Sequence, residues 1–349
     1  MAVTKWHNCH QKSGIVEIDE TLYNKSMKIL VTGGAGYIGS ITVKQLLKAG
    51  HDVVVFDSLE YGHKTAVTCP LIVGDLLSKS DIEKLNDYTF DAVIHFAAYL
   101  QVGESMENPY RYFTNNLLGG LNLLEYMKHH QIPFFVFSST SAIFGTPKTL
   151  PVVEDALKDP QSVYGETKYM FERILSWYDK IFGIKSVSLR YFNAAGASLD
   201  GTLGEDHTPE THIIPVAISK AIKNEQFSLF GDDYPTPDGT CIRDYVHVED
   251  LAIAHMQALD YLVKEKQSDT FNLGVGRGYS NKEVIAMVKK ISGVDFPVVV
   301  APRRVGDAAQ VFADNKKATE LLGFNPQYSD LETIVKTAWQ WHTRNAKEK

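Results

Sequence analysis

This 349-residue sequence predicts a doubly wound α/β fold, a parallel sheet covered by helices on both faces, and two observations carry that expectation. Short, nearly continuous apolar runs recur along the first half, as strands buried on both faces require. The first run leads directly into Gly33-Gly-Ala-Gly-Tyr-Ile-Gly-Ser40, a turn rich in small residues, and then into a stretch of helical composition. Hydrophobic residues make up 44% of the chain and charged residues 22%, enough for one large domain or two moderate ones.

Residues 1–26 are polar, mixed in charge and without the apolar centre of a secretory signal, so they read as a leader outside the fold. Met27 directly precedes the first strand, Lys28-Ile-Leu-Val-Thr32. Residues 41–49 have helical composition, Gly50 is a C-cap, and Asp52-Val-Val-Val-Phe56 is the second strand, ending in Asp57. Gly33, Gly36 and Gly39 let the backbone approach a pyrophosphate, whose charge meets free N–H groups and the positive end of the helix. A glycine turn alone is weak, but here a strand precedes it, a helix follows, and an acid stands 18 residues beyond Gly39. Asp57 would accept hydrogen bonds from adenosine ribose hydroxyls and repel a 2′-phosphate, so the expected cofactor is NAD rather than NADP.

Four further strands are read at Leu71-Ile-Val-Gly-Asp75, Ala92-Val-Ile-His-Phe96, Phe134-Phe-Val-Phe-Ser138 and Ser186-Val-Ser-Leu-Arg190. In such sheets ligands sit beyond the carboxyl ends of the strands, where Asp75, Phe96-Ala-Ala98 and Ser138-Ser-Thr140 fall. Tyr164 and Lys168, four residues apart, place a phenol and an ammonium on one helical face. A nearby positive charge favours the phenolate. Bringing a phenol from about 10 to neutrality takes roughly 4 kcal/mol, reasonable if a cofactor cation helps. The spacing alone equally describes a surface tyrosine beside an exposed lysine.

A net charge of −7 and the absence of any block of five basic residues argue against nucleic acid. No apolar run approaches the roughly 18 residues of a membrane span. Cys9, Cys69 and Cys241 are too few and scattered for a disulfide framework or a zinc site, so a reducing cytoplasm fits and no metal is expected.

Specific segments add more: His95-Phe-Ala-Ala98, Val102-Gly-Glu-Ser105, Leu189-Arg-Tyr-Phe-Asn-Ala-Ala-Gly196, Phe230-Gly-Asp-Asp-Tyr-Pro-Thr236, Asp238-Gly-Thr240, Arg243-Asp-Tyr-Val-His-Val248 and Ala301-Pro-Arg-Arg304. Together with the glycine turn and the Tyr164–Lys168 pair, they resemble the extended short-chain dehydrogenase/reductase family, and within it the UDP-glucose 4-epimerase branch. The resemblance covers nearly everything after Met27. It implies a Rossmann domain for NAD over residues 27–192 and a mainly UDP-sugar-binding, smaller α/β domain over 193–349, with a segment near 243–255 returning to the first. It implies a tightly held NAD, a UDP-hexose substrate inverted at C4 through a transient 4-keto sugar, and a homodimer.

By position in these motifs the resemblance assigns Tyr164 as base, Lys168 as its tuner and Thr140 as a hydrogen-bond partner of the reacting oxygen. Thr140 could otherwise be a turn hydroxyl bonding its own backbone. The cofactor would meet Gly33, Gly36, Tyr37, Ile38, Gly39, Asp57, Ser58, Asp75, Leu76, Phe96, Ala97, Ala98, Asn115 and Phe192, along with Tyr164 and Lys168. Phe96 also suits ordinary core packing, and Asn115 suits a helix buttress. Arg243 and Arg304 would meet the diphosphate, since guanidinium pairs bidentately with phosphate. Asn193 would bond a phosphate or sugar, Phe230 would line the uracil pocket, Asp307 would bond the uridine ribose, and His212 would be a polar substrate contact. Arg303 reads as a solvated surface residue. Val311 stands where some relatives carry a bulky tyrosine, leaving space for a 2-acetamido group. Phe144 and Leu100 depart from the pattern at positions that are tyrosine and, in some members, lysine. The rival readings are a sugar dehydratase or decarboxylase of the same family and a cofactor-binding regulator without turnover. Ser141 and Ala142 follow Thr140 where dehydratases carry an Asp-Glu pair, which removes the proton carrier for elimination.

Overall fold

The computed structural model describes residues 26–304 and 306–348. The leader expected over residues 1–26 lies, except for Ser26, outside these residues. Seven parallel strands form the central sheet: β1 (Lys28–Thr32), β2 (Asp52–Asp57), β3 (Leu71–Val73), β4 (Ala92–His95), β5 (Phe134–Ser138), β6 (Lys185–Tyr191) and β7 (Asp269–Leu273). Their order is β3-β2-β1-β4-β5-β6-β7, which is doubly wound, with the switch point between β1 and β4. β1, β2, β4 and β5 are almost entirely buried, which is why their sequences are apolar without alternation.

β7 was not among the expected strands. Its sequence Asp-Thr-Phe-Asn-Leu is broken by Asn272, a fully buried amide that donates to the Val152 carbonyl at 2.9 Å. That bond reaches across 120 residues, so the amide N–H of a polar strand residue finds its partner in a way local composition does not announce, while the amide oxygen has none.

Helix α1 (Tyr37–Lys48) follows β1, and α2 (Val163–Phe182) precedes β6. Ser162 caps α2 by accepting from the Gly165 N–H at 3.1 Å, and Gly183 ends it at φ 77°, where a residue without Cβ avoids strain. The two caps set the register of the Tyr164 turn. Helix α3 (Val248–Glu265) packs on α1, β5 and β6, sealing the face formed by Val31, Ile94, Val136 and Leu189. A separate apolar cluster collects Ile214, Ile218, Phe227, Val284 and Val335 from the strand Phe227–Phe230 and the helices Ile213–Lys223, Asn281–Ser292 and Leu331–Glu348, with Phe296 from the connection after the second of these helices. Among the described residues no helix is long and apolar enough to cross a membrane.

Candidate active site

A cleft of about 400 Å³ opens at the carboxyl ends of β1 to β4. Gly33, Gly36, Tyr37, Ile38, Gly39, Asp57, Ser58, Asp75, Leu76, Phe96, Ala97, Ala98 and Asn115 all line it. A Cβ on Gly39 would lie 2.2 Å from the Gly33 carbonyl oxygen, and Gly33 itself sits at φ 74° against the Ala97 backbone. Side chains there would fill the cradle. Gly36 caps α1 with no side-chain hydrogen bond, and the first turn holds no acid, so the positive end of the helix is left for an anion. Asp57 accepts from the Ala35 and Leu59 N–H groups at 2.9 Å each, which aims the carboxylate and leaves each oxygen another lone pair. Burial raises its proton affinity, and the two N–H bonds oppose that rise. The cradle, the open helix end and the aimed carboxylate fit a dinucleotide.

Phe96 lines the cleft and also packs 4.6 Å from the His255 ring, so the packing and contact readings hold together. At Asn115 the two readings divide between neighbours. Asn115 faces the cleft, while buried Asn116 holds both backbone groups of Tyr99 and the Thr167 hydroxyl. Both lie in a π-helical turn, residues 114–118, a distortion frequent at functional sites.

A second cleft, of about 480 Å³, is lined by Asn193, His212, Phe230, Arg243, Arg304 and Asp307. Asp307 sits between two guanidinium groups, 3.5 Å from Arg243 Nη2 and 3.1 Å from Arg304 Nε, and Arg304 lies over the Phe230 ring. Arg243 is aimed further by donating to the Ala308 carbonyl at 2.7 Å. Asn193 donates its amide to the Asp244 carbonyl at 2.9 Å. Arg303 is part-exposed and paired with Asp233 outside this group.

His212 lines the second cleft, but its Nδ1 is engaged by Glu205 at 2.7 Å and Glu210 at 3.0 Å. Burial pulls its pKa down, but the two carboxylates outweigh burial and hold it at about 10. The imidazole is thus committed to its own loop, an arrangement made by oppositely charged neighbours inside eight residues.

Thr140, Tyr164, Lys168, Phe192 and Val311 are not among the residues that line either cleft. Phe192 stands between the two clefts in sequence, since Tyr191 lines the first and Asn193 the second. Phe192 packs with Ile143, Phe144, Val152 and Ala313, and Val311 packs against this group. Thr140 Oγ1 caps the turn Ser141–Phe144 by accepting from the Ala142 N–H at 3.1 Å. Its hydroxyl also stands close enough to the Tyr164 phenol to oppose the effect of burial there.

Lys168 Nζ donates to the Ser138 carbonyl at 2.8 Å and lies 5.9 Å from the centre of the Tyr164 ring. Burial dominates both groups. It pushes the Tyr164 phenol well above its ordinary value, with Tyr191 adding and the Thr140 bond opposing, and it draws Lys168 down to about 7. Desolvation penalises both charged forms, so the lowering expected from Lys168 together with the nicotinamide's positive charge has to work against it.

Residues 29–274 match the model of the NAD dependent epimerase/dehydratase family. The chain belongs to that family. It is 48% identical to a UDP-glucose 4-epimerase of Lactobacillus helveticus over 325 residues, 92% of this chain and 98% of the relative. The crystal structure of UDP-glucose 4-epimerase from Brucella ovis in complex with NAD superposes with a TM-score of 0.87 at 44% identity, covering 89% of this chain and 97% of that one. The UDP-Glc/GlcNAc 4-epimerase from Campylobacter jejuni superposes at 0.81 and 43% identity, covering 92% and 100%.

For this epimerase/dehydratase family member, NAD dependence sharpens the role proposed for Asp57. A competitive titration should show NAD bound more tightly than NADP, with Asp57→Ala narrowing the gap by about tenfold or more, the loss of one charged interaction. Tighter NADP binding to the parent protein would sink that role.

Residues that sequence reasoning missed include Tyr191 and Trp341 in the first cleft. Trp341 arrives from the C-terminal helix and donates to the Glu205 carbonyl at 3.0 Å, across 136 residues. Tyr191 could have been found, since it directly follows the strand read at residues 186–190.

Proposed function

We infer that this chain is a UDP-glucose 4-epimerase, interconverting UDP-glucose and UDP-galactose by inversion at C4. The observation that carries the reading is buried Lys168, whose Nζ donates to the Ser138 carbonyl at 2.8 Å and lies 5.9 Å from the centre of the Tyr164 ring, in a chain whose Tyr191 lines a dinucleotide cleft and whose Asn193 lines an arginine-bearing one. NAD, when bound, supplies the hydride acceptor and donor at C4. Tyr164 removes the 4-hydroxyl proton and returns it to the opposite epimer, so protons balance over a turnover. Thr140 shares a hydrogen bond with that oxygen and the phenol. Lys168 holds a positive charge beside the phenolate; each charged form stabilises the other, against the burial that disfavours both. Arg243 and Arg304 hold the diphosphate, and the Ser141–Phe144 turn contributes no acid that could expel a hydroxyl as water. The seven-stranded sheet acts as the cofactor unit, and the part containing Phe227–Phe230 and Ile213–Lys223 as the UDP-sugar unit. A coupled assay converting UDP-galactose to UDP-glucose tests the activity, and dehydration or no turnover would exclude it.

Val311 extends the reading to 2-acetamido sugars. It lies in register with Arg243 and packs on the Phe192 cluster, so a larger side chain would project beside the substrate arginine. Turnover of UDP-N-acetylglucosamine is expected, and Val311→Tyr should lower kcat/KM for it about 10- to 200-fold relative to UDP-glucose. Failure of the parent enzyme to convert the acetylated sugar at levels that readily convert UDP-galactose would refute this.

Met170, Trp177 and Ile181 form one exposed apolar face of α2, which supports a homodimer joined there. Light scattering should report twice the chain mass; a monomer at micromolar concentration would contradict it.

A further inference from the structure

Glu205, His207, Glu210 and His212 bring two carboxylates and two imidazoles together, with one donor atom from each all within 4.8 Å of one another. His212 Nδ1 stands 2.7 Å from Glu205 Oε1 and 3.0 Å from Glu210 Oε1. His207 Nδ1 stands 3.1 Å from the same Glu205 oxygen and 3.8 Å from Glu210 Oε2. A tetrahedral zinc with bonds of about 2.0–2.2 Å separates its ligands by about 3.3–3.6 Å. Three of these four separations fall short of that range and one exceeds it, so the donors must spread slightly to admit an ion.

Charge agrees with geometry. Glu205 is only 5% exposed, and a buried carboxylate needs a cation or strong donors. With neutral imidazoles the four groups carry two negative charges, which a dication balances by replacing protons. The donors are also aimed from outside. Glu210 Oε1 accepts from the Thr211 and His212 N–H groups at 2.7 and 2.8 Å, and the Tyr37 ring meets the His207 ring edge-on. The expectation of no metal rests on cysteine alone, whereas these ligands are nitrogen and oxygen.

We propose that Glu205, His207, Glu210 and His212 bind one first-row transition dication of the zinc class. His207 lines the dinucleotide cleft, and the other three line the arginine-bearing cleft. The ion therefore ties one residue that lines the first cleft to three that line the second.

The test uses full-length, NAD-loaded protein made without a histidine tag and stripped of metal by a chelator. Co²⁺ titration should saturate at one equivalent with the intense visible absorption of a four-coordinate ion, displaced by Zn²⁺. X-ray absorption of the zinc-loaded parent should show two imidazole nitrogens and two carboxylate oxygens at about 2.0–2.2 Å. The double variant H207A/H212A should weaken Co²⁺ binding by about 100-fold or more. No saturable binding, a zinc shell without imidazole, or unchanged affinity in the double variant overturns the site. The measurement on the parent protein decides the question even where the variant does not fold, and a loop closed by hydrogen bonds alone gives the first of these outcomes.

Discussion

Tyr164→Phe is expected to lower kcat for UDP-galactose by about 10²- to 10⁴-fold, the range spanned by a positioned general base, while the purified protein still carries NAD. The substitution removes one oxygen from a buried side chain, and the ring keeps its place. Burial raises the Tyr164 phenol and lowers the Lys168 amine, so phenolate and ammonium each depend on the other as the sugar hydroxyl loses its proton. They should therefore act as a unit. Lys168→Met ought to cost a comparable factor, and the double variant little more than Tyr164→Phe alone, because the second loss removes a partner already without work. Nucleotide released on denaturation measures cofactor content, and the coupled assay measures kcat. Activity within tenfold of the parent in Tyr164→Phe, with NAD retained, would assign the base elsewhere.

The parts of this molecule legible in the sequence are those whose cause is local. Val53, Val54 and Val55 are buried on both faces of a strand, and an apolar run records that directly. Gly39 is required because a Cβ there would collide with the Gly33 carbonyl only six residues away. Tyr164 and Lys168 are related by a single helical turn. Where the cause lies far along the chain, the sequence is silent. Asn272 is a strand residue because Val152 accepts its amide, and Trp341 borders the dinucleotide cleft because the C-terminal helix crosses it. Charge balance is a further gap. Residue types at 164 and 168 suggested a tuned phenol, but the direction of its shift depends on desolvation, which only the packed fold determines. The motif reading of His212 fixed its place beside the second cleft; it did not anticipate that Glu205 and Glu210 would engage the ring first.

Glu172→Ala is expected to cost about 3–5 kcal/mol of stability, the penalty for stranding a buried charge by removing its partner. Glu172 and Arg190 are both about 5% exposed at their side chains and meet through Nε at 3.0 Å and Nη2 at 2.7 Å. The same carboxylate accepts from the Ser139 hydroxyl at 2.6 Å, and Arg190 donates onward to the Glu154 carbonyl. One ion pair thus ties α2, the end of β5 and β6 together, one residue from Thr140 and one helical turn from Lys168. Replacing both partners by apolar residues, Glu172→Leu with Arg190→Met, should cost less than Glu172→Ala, since no charge is then left buried. Urea midpoints at equal NAD concentration measure both, so that ligand linkage cancels. A second readout separates stability from chemistry. The Glu172 charge raises the Lys168 pKa against the larger effect of burial, so removing it lets that pKa fall from about 7. The ammonium beside Tyr164 is then lost at lower pH, and the decline of kcat with rising pH should begin earlier in Glu172→Ala than in the parent. A stability loss below about 1 kcal/mol would show that the pair is solvated in solution and no anchor for the site.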